Sequence, residues 1–122
     1  MWKIERDVLD LILEASKSTY PKEFAGALRA RNDVITELIL VPGTFSSYAG
    51  AMLQFHTLPI DRSVVGTIHS HPSPIPYPSA QDLALFDRWG RIHIIVAAPF
   101  NERSWRAFDG RGEEVPLEVI GP

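Results

Sequence analysis

The chain has 122 residues, 12 Lys and Arg against 15 Asp and Glu, a formal net charge of −3 and no cysteine. That length suits one domain able to bury a real core, and without a basic run there is no footprint for nucleic acid. The lack of cysteine excludes disulfides and every thiolate metal site, the cysteine-dependent zinc deaminases included.

The segment Met1–Asp7 is too charged for a signal-peptide core, and the longest mostly apolar run, Ile92 to Phe100, is too short to cross a bilayer as a helix. A cytoplasmic protein without membrane contact is therefore expected. Ile4 opens a short strand. Val8, Leu9, Ile12, Leu13 and Ser16 recur at helical spacing, so Asp7 to Ser18 reads as an amphipathic helix that Pro21 ends. Phe24 to Arg31 and Val34 to Val41 read as a hairpin turned at Asn32-Asp33. Thr44 to Gly50 is polar and small, which suggests a loop, and Ala51 to His56 a further strand.

Val64 to Ile68 reads as the strand that delivers His69. Four alternating prolines, Pro72 to Pro78, make the following connection stiff although irregular. Ser79 starts a helix with Leu83, Leu85, Phe86 and Trp89 expected on its apolar side, and Gly90 ends it. Ile92 to Ala98 is apolar on both faces, as a central strand would be. Trp105 to Phe108 and Val115 to Val119 read as a closing hairpin around Asp109-Gly110. The pattern indicates one α+β domain over residues 1–122, a mixed, mostly antiparallel sheet flanked by two helices.

Chemistry concentrates at Gly66-Thr67-Ile68-His69-Ser70-His71-Pro72 and Ser79-Ala80-Gln81-Asp82. Side chains two apart on a strand point the same way, so His69 and His71 can face one ion if the strand persists that far. Asp82 shares a helical stripe with Leu85, Phe86 and Trp89, and a carboxylate on a core-facing stripe needs a partner. Three N/O donors and one open position describe a catalytic Zn²⁺ site. The bland alternatives are histidines hydrogen-bonded in a core and a helix cap, since Ser79-x-x-Asp82 is also a capping-box pattern. Capping does not explain the two histidines. His56 and His93 lack spaced partners; His93 reads as structural, and four histidines are too few for a dinuclear phosphoesterase. Zinc chemistry also needs a proton acceptor. Among Glu5, Glu14, Glu23 and Glu37, Glu23 at the helix-to-strand junction is favoured, with a plain surface carboxylate as the alternative.

His69-Ser70-His71-Pro72 with Ser79 and Asp82 resembles the His-x-His…Ser-x-x-Asp motif of the JAMM (MPN+) metalloproteases, and Pro21 to Leu28 is similar to the upstream segment carrying that family's glutamate. The likeness covers nearly the whole chain and is strongest to the small archaeal JAMM proteins. It implies an MPN/JAMM, cytidine deaminase-like fold. It implies that His69, His71 and Asp82 hold Zn²⁺, that Glu23 is the general base and that Ser79 stabilises the tetrahedral intermediate. It further implies cleavage of ubiquitin-like, Gly-Gly-ended small modifier proteins from lysine conjugates. A homodimer is compatible with it. The alternatives are a relative acting on sulfur-carrier or small-peptide conjugates, and a non-catalytic metal-stabilised interaction module. The intact Glu23 and Ser79 speak against the module.

Overall fold

The computed structural model of the protein describes residues 1–40 and 62–122. The expected loop Thr44–Gly50 and the expected strand Ala51–His56 lie outside the described residues. The elements run β1 (Lys3–Glu5), α1 (Arg6–Thr19), β2 (Ala25–Arg31), β3 (Val34–Leu40), β4 (Val64–His71), α2 (Ala80–Trp89), β5 (Ile92–Ala97), β6 (Trp105–Phe108), β7 (Glu114–Val115) and β8 (Glu118–Ile120). Among the described residues all the strands join one sheet in the order β7-β6-β5-β4-β2-β3-β1-β8. Four neighbouring pairs are antiparallel and three parallel, so the expected mixed, mostly antiparallel sheet is what forms.

The helical spacing of α1 buries Val8, Leu9, Ile12 and Leu13. Ser16 sits on the same stripe at no polar cost, because its hydroxyl donates to the Ile12 carbonyl at 2.8 Å. The β2–β3 turn has Asn32 at φ 53° and Asp33 at φ 64°. Those are the left-handed values that a tight two-residue hairpin needs and that Asn and Asp tolerate. β4 and β5 run parallel, joined by α2, as a parallel pair requires a crossover. Their approach depends on Gly66, where a Cβ would fall 1.5 Å from the Ile92 carbonyl oxygen.

The sheet buries side chains on both faces. Under α1 lies the larger cluster, which includes Ile4, Leu9, Ile12, Leu28, Ile35, Ile68, Ile92 and Ile94. Under α2 lies a smaller one of Phe86, Ile95 and Phe108. Every residue of β5 is buried, as expected of a central strand. Among the described residues no helix is long and apolar enough to cross a membrane.

Two expectations are corrected. Leu83 is 40% exposed, because the stripe carried by Asp82, Leu85 and Phe86 turns it outward. The side chain of Trp89 lies outside the described part. The closing hairpin is real only for β6 and β7, which pair at Ala107↔Val115 and Phe108↔Glu114. Val115 to Val119 is not one strand. Pro116 cannot donate to a ladder, and after Leu117 the chain continues as β8 at the opposite edge, parallel to β1. Three Cα steps from Val115 to Glu118 cover no more than about 11 Å. The sheet therefore curls until its two outer strands approach each other.

Candidate metal centre

The strand period of two continues to the end of β4, so His71 keeps the direction of His69. Their rings lie 5.1 Å apart on the α2 side, where the His69 ring packs 6.3 Å from Phe86. Asp82 arrives from the first turn of α2 and is 5% exposed; His69 is 7% exposed. Asp82 Oδ1 lies 2.9 Å from His69 Nε2, and Oδ2 lies 3.1 Å from His71 Nε2. One donor atom from each residue falls within 4.8 Å of the other two, so the three could hold one metal ion.

Hydrogen bonding supports that use. Neither ring nitrogen of His69 has a hydrogen-bond partner among the described residues, though both are buried. The 2.9 Å approach to Asp82 is thus a contact without bonding direction. His71 Nδ1 faces the Ile75 carbonyl at 3.0 Å, and a carbonyl only accepts, so Nδ1 carries the proton. In the neutral ring, Nε2 then turns a lone pair toward a carboxylate. A cation between them resolves the conflict. Without one a proton must, and the His71 pKa is indeed raised: burial opposes the charged ring, but Asp82, the Ile75 carbonyl and the charge of Glu23 outweigh it. Burial likewise disfavours the Asp82 carboxylate, yet the His69 and His71 rings and the Ser79 amide hold its pKa far below the ordinary range. Two imidazoles and one carboxylate with an open position are a donor set that fits Zn²⁺.

Ser79 caps α2. Its hydroxyl oxygen accepts from the Asp82 amide at 3.1 Å, and Asp82 Oδ2 accepts from the Ser79 amide at 2.8 Å. The capping box foreseen as an alternative is thus present, and it orients Asp82 toward the histidines. Capping uses only a lone pair of the hydroxyl, so its proton stays available to a ligand. Glu23 is half-buried and lies before β2. Ala25 pairs with His69, so the register continued by two residues on each strand puts Glu23 opposite His71.

His93 has the structural role expected of it. Its Nδ1 lies 2.7 Å from the Thr67 hydroxyl and its Nε2 3.2 Å from the Gly90 carbonyl. Its ring stacks on Phe86 at 4.2 Å. Burial is the main cause that pushes its pKa down to about 4. Two contributors have no counterpart in the sequence reading: the Ile75 carbonyl and the Thr67 hydroxyl. The first is a backbone atom with no side-chain signature. Thr67 carried a usable signal, since it lies in phase with His69 on β4.

Fold and donor set together define a small α+β domain of the metallohydrolase kind. Comparison with known proteins makes this specific. Residues 5–108 match the family described as prokaryotic homologs of the JAB domain. A probable metalloprotease of Haloferax volcanii is 39% identical, over 96% of this chain and 78% of its own. A JAB1/MPN domain protein from Archaeoglobus fulgidus has a solved structure with 43% identity and a TM-score of 0.80, covering 99% of this chain and 98% of that one. A second solved structure, described as JAMM, a metalloprotease-like zinc site in the proteasome and signalosome, matches with 43% identity, TM-score 0.80 and 99% of both chains. A Desulfitobacterium hafniense protein, 16% identical with a TM-score of 0.66, shares the fold alone. The chain belongs to the JAMM (MPN+) family.

Proposed function

We propose that this protein is a zinc-dependent isopeptidase that releases ubiquitin-like, Gly-Gly-ended small modifiers from lysine side chains. That it is a metallohydrolase of the metalloprotease type rests on the family and on the His-His-Asp group. The observation that carries the finer reading is the convergence of that group with Glu23 and Ser79 on one end of β4. Zn²⁺ is the cofactor, with His69, His71 and Asp82 as the residues that would hold it. When bound it supplies Lewis-acid polarisation of the scissile carbonyl and acidifies water.

The chain's own groups supply the rest. Glu23 takes the proton of the attacking water and gives it to the departing lysine amine, so the carboxylate ends each turnover as it began. The Ser79 hydroxyl, its lone pair engaged by the Asp82 amide, donates its proton as a hydrogen bond to the developing oxyanion. The Ile75 carbonyl fixes which nitrogen of His71 is bare.

The test is incubation of the zinc-loaded protein with a panel of conjugates: lysine-linked modifiers, sulfur-carrier conjugates and short peptides, read by mass spectrometry. Release of an intact Gly-Gly-ended modifier is expected. Glu23→Gln should abolish it while zinc remains bound. Cleavage of free peptides alone would point to the small-peptide reading. Stoichiometric zinc without any turnover would point to a metal-stabilised interaction module.

A further inference from the structure

Ser70 stands between the two histidines and takes no part in the chemistry described above. It is 1% exposed, and strand alternation turns it away from them. Its amide donates to the Phe24 carbonyl at 2.8 Å, extending the antiparallel register of β2 and β4 by one rung. In a hydrogen-bonded rung of this kind the return bond also joins amide to carbonyl. Here the Phe24 amide donates instead to the Ser70 hydroxyl oxygen, at 2.7 Å. A side chain thus closes the rung between the Ala25–His69 pair and Glu23, which is itself a bridge residue.

Glu23 is the residue next to that rung. Among the described residues no hydrogen bond or ion pair holds its side chain. Its carboxylate is therefore placed by backbone alone, and the peptide unit next to it is pinned by Ser70 at the Phe24 amide. We infer that Ser70 is a positioning residue for Glu23: its hydroxyl fixes the Phe24 amide and, through one peptide unit, sets the carboxylate against the His71 end of the site. The inference rests on the reading of Glu23 as the general base. A merely structural Ser70 would affect stability and leave the rate of the folded protein alone.

The test compares full-length, zinc-loaded Ser70→Ala, Ser70→Thr and Ser70→Cys with Glu23→Gln and with the double variant Ser70→Ala/Glu23→Gln. The substrate is the conjugate that the wild type cleaves best. Ser70→Ala should lower kcat about 10- to 100-fold with KM and zinc affinity unchanged, the loss expected when a reacting group moves by about an ångström. Thr keeps the acceptor and should restore the rate. Cys is a weaker acceptor of similar size, should fall between, and replaces Ala in the comparison if Ala does not fold. In the Glu23→Gln background, loss of Ser70 should have no further effect, because the two act as a unit.

An additive loss in the double variant, wild-type kcat in Ser70→Ala, or a change confined to KM or zinc affinity overturns the inference. Crystal structures give a readout free of turnover. The Glu23 carboxylate should shift in Ser70→Ala while His69, His71 and Asp82 stay in place. An unmoved carboxylate overturns the inference even if the wild type cleaves nothing. Equal rates for wild type and Glu23→Gln would instead sink the reading of Glu23 as the base, and that comparison involves no Ser70 variant.

Discussion

Burial between Thr67, Phe86 and Gly90 keeps the His93 ring neutral. The group's pKa falls from its unfolded value near 6.5 to about 4 in the folded protein. The unfolded chain therefore binds more protons across that window, and stability present above pH 6.5 is lost as pH falls through 4. The size of the effect is about 3 kcal/mol. Denaturant melts of the chelated protein at several pH values should show wild type losing this increment while His93→Asn does not. Equal slopes would mean that another group is responsible. His71, whose pKa is raised, acts in the opposite sense, its contribution being present below 6.5 and lost as pH rises. The variant comparison separates the two. At this scale the donor residues could be read from the sequence, since a strand period of two and a carboxylate on an apolar stripe are local signals. The bond from the Phe24 amide to Ser70, 46 residues away, leaves no local trace. Nor does the bond between Thr67 and His93 across β4 and β5.

Helix α2 joins the stiff proline connection to the metal ligands, and its first turn has two tasks. As a cap, the Ser79 hydroxyl satisfies the Asp82 amide, and its loss should cost about 1 kcal/mol, seen as a small drop in melting temperature. As an oxyanion donor, its loss should slow turnover on the order of 10²-fold. Ser79→Ala is expected to show both effects with zinc retained. A lowered melting temperature with unchanged kcat would leave only the cap. Both helices and the inner strands were legible because each has its own hydrophobic period. The division of Val115 to Val119 into β7 and β8 was not, because Val115, Leu117 and Val119 alternate as they would along a single strand. What splits the run is partner choice across the sheet, and the pattern of one segment does not encode that. Pro116 was the available clue.

For the molecule as a whole, metal and fold are linked. Any ion that binds the folded chain and not the unfolded one stabilises it, by about 2.7 kcal/mol at a free concentration 100 times Kd. Chelation should lower the melting temperature and added Zn²⁺ restore it. A His69→Ala/His71→Ala double variant should respond to neither. A wild-type transition indifferent to chelator would show that the native state carries no ion at this site. The curl of the sheet bears on the protein's birth. β1 is synthesised before the other strands of this sheet, and among the described residues it pairs on one side with β3 and on the other with β8. On the ribosome the outer rim of β1 must therefore wait, with its backbone groups unpaired, until Glu118–Ile120 has emerged. An open strand rim is a template for pairing with other chains. The interval before β8 docks is thus when a nascent copy is most exposed to pairing with its neighbours on the same message.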